Sequence, residues 1–211
     1  MVTALEALQR LHEGNGRYIS GERKLEAMMG QSRRRELIAG QAPFAAILGC
    51  SDSRAPVEII FDQGLGDLFV IRVAGNIVAP SQIGSVEFAA AQFGTRLVVV
   101  LGHTRCGAVL ATLSELQQPT EEQSPGLRSI VDRIQPSVQE LLTTELRHDP
   151  EALARSAIRA NIRASANQLR HGSKILEQLI QEDGLLVVGA EYSLESGVVE
   201  FFDGVPAAFA P

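Results

Sequence analysis

The chain has no tryptophan and only two cysteines among its 211 residues, and each scarcity closes a possibility. Two cysteines cannot build the disulfide framework of a small secreted domain, so Cys50 and Cys106 are left as buried hydrophobes, metal ligands or redox groups. Positive charge is short as well. Nineteen Lys and Arg face 25 Asp and Glu, for a net charge of −6, and a balance of that sign gives a nucleic acid or an anionic membrane nothing to bind. The one basic cluster, Arg33 to Arg35, reads as a solvated helix face. No run approaches the ~20 apolar residues of a spanning helix. The first thirty residues carry acidic groups in a helical pattern where a targeting signal has a basic start and an apolar block, so a cytoplasmic protein is expected. Internal repeats, low-complexity tracts and long linkers are missing too. The expectation is one domain over 1–211, with a helical arm at 1–40 and an α/β core at 41–211.

What is present is apolar and strongly periodic. Leu5, Leu8 and Leu11 recur at helical spacing over Ala4 to Ser20, with Thr3 as N-cap and Glu6 as its capping-box partner. A second helix is expected over Ser32 to Ala39, closed by Gly40. Short runs rich in Val, Ile and Phe then appear at Phe44–Leu48, Leu68–Val73, Leu97–Leu101 and Leu185–Val188, the first three separated by helical patterns such as Ser81–Phe93. Near-continuous apolar strands alternating with helices predict a parallel sheet covered on both faces. A helix follows at Gly107–Leu116, then long helical segments over Leu127–Leu146 and Glu151–Gln181, broken at His148–Pro150 and near Gly172. Val198–Phe202 closes the chain as an antiparallel edge strand. The fold class is therefore α/β: four mostly parallel strands plus an antiparallel edge strand, flanked by helices.

In open sheets of this kind functional groups gather where loops leave the carboxyl ends of strands. Cys50 and Asp52 follow the first strand in "CSDSR"; His103 and Cys106 follow the third in "VVVLGHTRCGAV". Both cysteines and one of four histidines thus arrive at one edge. Two thiolates and an imidazole suit a tetrahedral zinc with an open position, and the soft ligands select zinc over magnesium or calcium. The same residues also fit two buried thiols, a disulfide or a core histidine. Asp52 and Arg54, two apart, can meet in a bidentate pair beside the metal or form a plain loop ion pair.

"CSDSR" followed by "GHTRCGAV" is similar to the signature of the β-class carbonic anhydrases. The similarity runs from "ALQRLHEGNGRYISG" through "EIIFDQGLGDLFVIRVAGN" and "GSVEFAAAQFG" to "VVGAEYSLESGVVEF". The resemblance implies reversible hydration of carbon dioxide to bicarbonate and a proton, with one zinc ion per subunit on Cys50, His103 and Cys106. It makes Asp52 either a fourth ligand in a closed, inactive state or the Arg54-paired acceptor that orients zinc-bound hydroxide. Gln41, nine residues before Cys50, matches a substrate-binding glutamine, and Gly107 the small residue where backbone nears the pocket. Arg72 and Tyr192 match two residues of the closed subtype's inhibitory bicarbonate pocket, but Ile47 stands where that subtype has tryptophan. An open or pH-switched site is therefore expected. Phe69, Val73 and Phe88 are candidate pocket liners, and His12, His148 and His171 are read as surface residues with no proton-shuttle role. The resemblance further implies a homodimer or dimer of dimers, the N-terminal helix packing across onto the partner. Hydrolases of carbonyl sulfide or carbon disulfide share the ligand set and form the alternative reading.

Overall fold

The computed structural model describes residues 2–24, 29–119 and 123–209. Its sheet has the order β2-β1-β3-β4-β5, with β1 (Ala45–Gly49), β2 (Leu68–Arg72), β3 (Leu97–His103) and β4 (Leu186–Tyr192) parallel and β5 (Val199–Asp203) antiparallel on the edge. Both faces of the central strands are buried, which is why they read as unbroken apolar runs. Ala46 and Leu48 of β1 and Val98 and Val100 of β3 face one apolar layer; Ala45 and Ile47, with Leu97, Val99 and Leu101, face the other. β3 and β4 run further than their apolar cores suggested, because parallel pairing continues through Gly102–Glu191 and His103–Tyr192.

Helix α1 (Ala4–Ser20) starts on the expected capping box: Glu6 N–H donates to Thr3 Oγ1, and Thr3 N–H donates to Glu6 Oε2. Its apolar stripe splits. Ala7, Leu8 and Leu11 are fully buried against Ile47, Phe61 and Leu97, whereas Leu5 is 51% exposed. Within the chain this face of the helix packs on its own sheet; burying Leu8 and Leu11 alone favours this docking by about 1.5–3 kcal/mol each. Gly14 permits the close approach, since a Cβ there would lie 1.8 Å from the Phe61 carbonyl oxygen. Asn15 then fastens the helix by donating to Ile60 O and Gly197 O and accepting from Val199 N–H.

The second helix is short: α2 (Gln31–Glu36) tightens into a 3₁₀ turn at Leu37–Ala39. Arg33 leaves the solvated face to bind Asp67 at 3.1 Å. One turn, α3 (Val57–Ile60), was not anticipated. α4 (Pro80–Gln92) and α5 (Gly107–Gln117) follow the pattern. The long segment at Leu127–Leu146 is not one helix. α6 (Pro125–Val138) ends two residues after Pro136, which has no N–H to donate, and two 3₁₀ turns follow around Thr144, whose extended backbone and hydroxyl cap restart the chain. α7 (Pro150–His171) and α8 (Lys174–Glu182) are capped by Asp149 and Ser173.

β1 is followed by β2 on one side of it and then by β3 on the other. That reversal is the switch point at which open α/β sheets leave a crevice beyond the strand ends. Cys50 and His103 stand at those two ends.

Candidate metal centre

Cys50 leaves β1 directly after Gly49, His103 is the last residue of β3, and Cys106 is the N-cap of α5. Arg105 between the last two adopts φ +56°, the left-handed turn that swings the chain from strand end to helix start within three residues. Their donor atoms all lie within 4.8 Å of one another. All three side chains are buried, at 6%, 1% and 0% exposure.

The geometry decides among the readings the sequence left open. The two sulfurs are 3.9 Å apart and both cysteines are free, so they form no disulfide. That separation is close to the ~3.8 Å edge spanned by two thiolates at about 2.3 Å from a tetrahedral zinc. His103 Nδ1 sits 2.9 Å from the Thr104 carbonyl oxygen, which fixes the proton on Nδ1 and leaves the Nε2 lone pair facing the sulfurs. Nε2 is buried with no hydrogen-bond partner. A satisfied core histidine has no such orphan, and a metal ion would complete it. The residues present thus fit a soft dication.

The electrostatics agree with that donor set. The hydrogen bond from Cys106 draws the Cys50 thiol down to about 4, and the Gly75 amide at 3.3 Å adds to it. Cys106 keeps the shared proton through the same bond and is pushed up, although the α5 amides of Val109 and Ala108 work the other way. Burial disfavours a charged His103, but the neighbouring Cys50 outweighs it and the imidazole is raised. A dication in place of the shared proton would relieve all three.

Asp52 stands beside the three donors, with both carboxylate oxygens turned onto Arg54. Oδ1 accepts from Arg54 N–H and Nε–H, each at 2.9 Å, and Oδ2 accepts from Nη2 at 2.7 Å. This bidentate grip, before any other cause, holds the Asp52 carboxyl well below the usual carboxylate range. Oδ2 is 3.7 Å from His103 Nε2. The segment is braced from β2, where Arg72 donates to Cys50 O at 3.0 Å and Asp52 O at 2.7 Å. Arg72 is thereby occupied, Tyr192 shares a 3.1 Å hydrogen bond with Tyr18, and Ile47 is fully buried. The three positions compared with a bicarbonate pocket are all committed to internal contacts.

Gly107 is the first residue of α5, and a Cβ on it would meet nothing within 4 Å. Gln41 is exposed, before β1, while Cys50 lies after it; the five residues of β1 separate the two by about 16 Å. Phe69, Phe88 and Phe93 cluster with ring centroids 5.6–6.1 Å apart, and Phe88 is 51% exposed. His12, His148 and His171 are all exposed. Two contributors escaped the sequence reading: Gly75, whose amide reaches Cys50, and Asn161, which holds Gly75. The signal for the first was a Gly-Asn pair directly after a strand, where left-handed backbone is common.

A family model described as carbonic anhydrase matches residues 45–199. The carbonic anhydrase of Mycolicibacterium smegmatis is 38% identical over 194 residues, covering 92% of this chain and 91% of its own length. Carbonic anhydrase 2 of Mycobacterium tuberculosis is 38% identical over 193 residues, covering 90% and 89%. Among solved structures, a tetrameric β-carbonic anhydrase from Sordaria macrospora superposes with a TM-score of 0.71 at 26% identity, over 80% of this chain and 85% of that one. The β-carbonic anhydrase CafA of Aspergillus fumigatus gives 0.71 at 27%, over 85% and 89%. None of these relatives is named for a sulfur substrate, so the carbonyl sulfide alternative gains no support. With a matching family model, relatives of nearly equal length and the same fold around a buried Cys-His-Cys group, the chain belongs to the β-class carbonic anhydrases.

Proposed function

We propose that this carbonic anhydrase binds one zinc ion per chain on Cys50, His103 and Cys106 and uses it to hydrate carbon dioxide reversibly. The observation that carries the reading is the orphaned, buried Nε2 of His103 facing two sulfurs 3.9 Å apart. Zinc, when bound, supplies a Lewis-acidic centre that lowers the pKa of water from ~15.7 toward ~7.

The chain's residues do the rest. Arg54 puts two donors on Asp52 Oδ1 and one on Oδ2, so Oδ2, the oxygen nearer His103, keeps a free lone pair. That lone pair accepts a hydrogen bond from the reacting water and turns the water's own lone pair toward the carbon of carbon dioxide. Oxygen–carbon bond formation gives bicarbonate, and the proton leaves to solvent. Asp52 orients and does not carry that proton, because its carboxyl is held well below the usual range. Asp52 paired in this way serves the open site; moved onto the metal, it would close it. Burial of the three donors keeps competing ligands away, and the open space at Gly107 gives a small uncharged substrate room.

Gln41 stands at the far end of β1, so its part in holding substrate requires a second copy of the chain. That ties it to the proposed homodimer or dimer of dimers, which the tetrameric Sordaria relative supports. Among the described residues no helix is long and apolar enough to cross a membrane, in keeping with a cytoplasmic enzyme.

The test is stopped-flow hydration of carbon dioxide by the purified protein, before and after chelation. Activity should vanish on zinc removal and return with zinc but not magnesium. Full activity in metal-free protein would refute the reading.

A further inference from the structure

We propose that Asn161 is a positioning residue for the metal centre: through Gly75 it aims a backbone N–H at Cys50 Sγ. The inference rests on Cys50 being a metal ligand. Gly75 N–H donates to Cys50 Sγ at 3.3 Å, and Gly75 O accepts from Asn161 Nδ2 at 2.7 Å, both bonds buried.

The turn between these bonds is one the backbone does not adopt unaided. Gly75 has φ +69° and Asn76, next to it, φ +43°. Two successive left-handed residues are uncommon, the second of them carrying a side chain. Side-chain bulk is excluded as well, since a Cβ on Gly75 would lie 2.8 Å from Ile134 Cδ1 and 3.1 Å from Ala108 Cβ. Within the 74–76 turn, Asn76 N–H donates to Val73 O. The hold on the Gly75 carbonyl comes from outside, from α7, where Asn161 is 2% exposed.

α7 is a sound reference for that hold because it lies on the sheet without slack. The neighbouring Ile162 presses so closely that a Cβ on Gly102 would be 2.5 Å from its Cδ1, and one on Gly189 would be 2.9 Å from its Cγ2. Gly102 immediately precedes His103. One helix therefore fixes both halves of the centre: Ile162 sits on the strand that delivers the imidazole, and Asn161 sets the turn that steadies the first thiolate. A direct partner of a metal ligand is worth about 10–100-fold in affinity, and Asn161 acts on Cys50 through one such partner, the Gly75 amide.

The experiment compares wild type, Asn161→Leu, the milder Asn161→Ser and Leu169→Ala. Leu169 is fully buried on the same helix, eight residues or about 12 Å along it from Asn161. Zinc affinity is read by chelator competition, and the cobalt(II)-substituted proteins by their sulfur-to-metal charge-transfer absorption. Expected are about 10–100-fold weaker zinc binding and a charge-transfer band moved to longer wavelength in Asn161→Leu, because a thiolate without its N–H donor is more electron-rich. Asn161→Ser, whose hydroxyl falls short of Gly75, should give the same changes in smaller measure and keeps the test alive if the leucine variant does not fold. Leu169→Ala should lower thermal stability and leave both metal readouts unchanged. Affinity within twofold and an unmoved band in the Asn161 variants would overturn the proposal, as would Leu169→Ala reproducing their changes. Wild-type protein that binds no stoichiometric zinc would instead overturn the metal assignment on which it rests.

Discussion

His103 and Cys106 reach the candidate metal centre from a single short segment, a strand end and a helix start three residues apart, while Cys50 reaches it from a loop held by other parts of the chain. Arg72 at the end of β2 grips the carbonyls of Cys50 and Asp52, the turn at Ala74–Asn76 supplies an amide to the sulfur, and α7 holds that turn. The first arm is specified by local geometry: a left-handed Arg105 and the first turn of α5 suffice to aim both ligands. The second arm is specified by packing. Mutations in the first arm should act through loss of a ligand, and those around the second through loss of support, with graded effects.

The largest effect is expected from removing a ligand. Cys106→Ser and His103→Ala should each purify without zinc and hydrate carbon dioxide at the uncatalysed rate; stoichiometric zinc by atomic absorption in both variants would break the ligand assignment. Next comes Asp52→Asn, which leaves the three donors in place but exchanges the acceptor oxygens for an amide. Zinc should stay bound while kcat/KM falls about 10²–10³-fold, the range for losing one preorganised hydrogen-bonding group in an active site. The Asp52 carboxyl lies below the ordinary 3.8 in the folded chain. The stability its pair with Arg54 lends is therefore fully present above that pH and is lost only as pH falls below it. The Asp52 carboxyl should accordingly stay ionised from pH 6 to 9, and a titration of that carboxyl inside the window, read by NMR, would contradict the assigned role.

A glycine pair sharpens the contrast between the arms. Gly75→Ala forces a side chain into left-handed backbone against Ile134 and Ala108, and should cost about 1–3 kcal/mol by thermal unfolding. Gly107→Ala adds its methyl to open space at a helix start and should not lower the melting temperature. The smallest effect belongs to Glu195→Ala. Its 2.8 Å ion pair with Arg105 is exposed on both sides, so its loss should change stability by under ~1 kcal/mol and leave zinc content unchanged.

The same division explains what could be read from the residues in order. Strand runs buried on both faces, the Thr3–Glu6 capping box, the break at Asp149–Pro150 and the His-x-x-Cys segment are local patterns, and the fold follows them closely. The split of the α1 stripe was not legible, because Leu5 and Leu8 have the same character and only the sheet beneath decides which is buried. The end of α6 was missed because Leu127–Leu146 keeps helical spacing past Pro136, while Thr144 turns the backbone. The brace on Cys50 was invisible for a deeper reason: Asn161 and Gly75 are 86 positions apart, and nothing in either neighbourhood names the other. The paired state of Asp52 and Arg54 likewise needed coordinates, since two residues apart permits it without requiring it.

The central claim, that a zinc ion sits on two thiolates and an imidazole at the ends of β1 and β3, is tested most directly by X-ray absorption at the zinc edge of the purified protein. The account predicts two sulfur scatterers at about 2.3 Å and the remainder nitrogen or oxygen at about 2.0–2.2 Å for each zinc. A first shell containing only nitrogen and oxygen would contradict it.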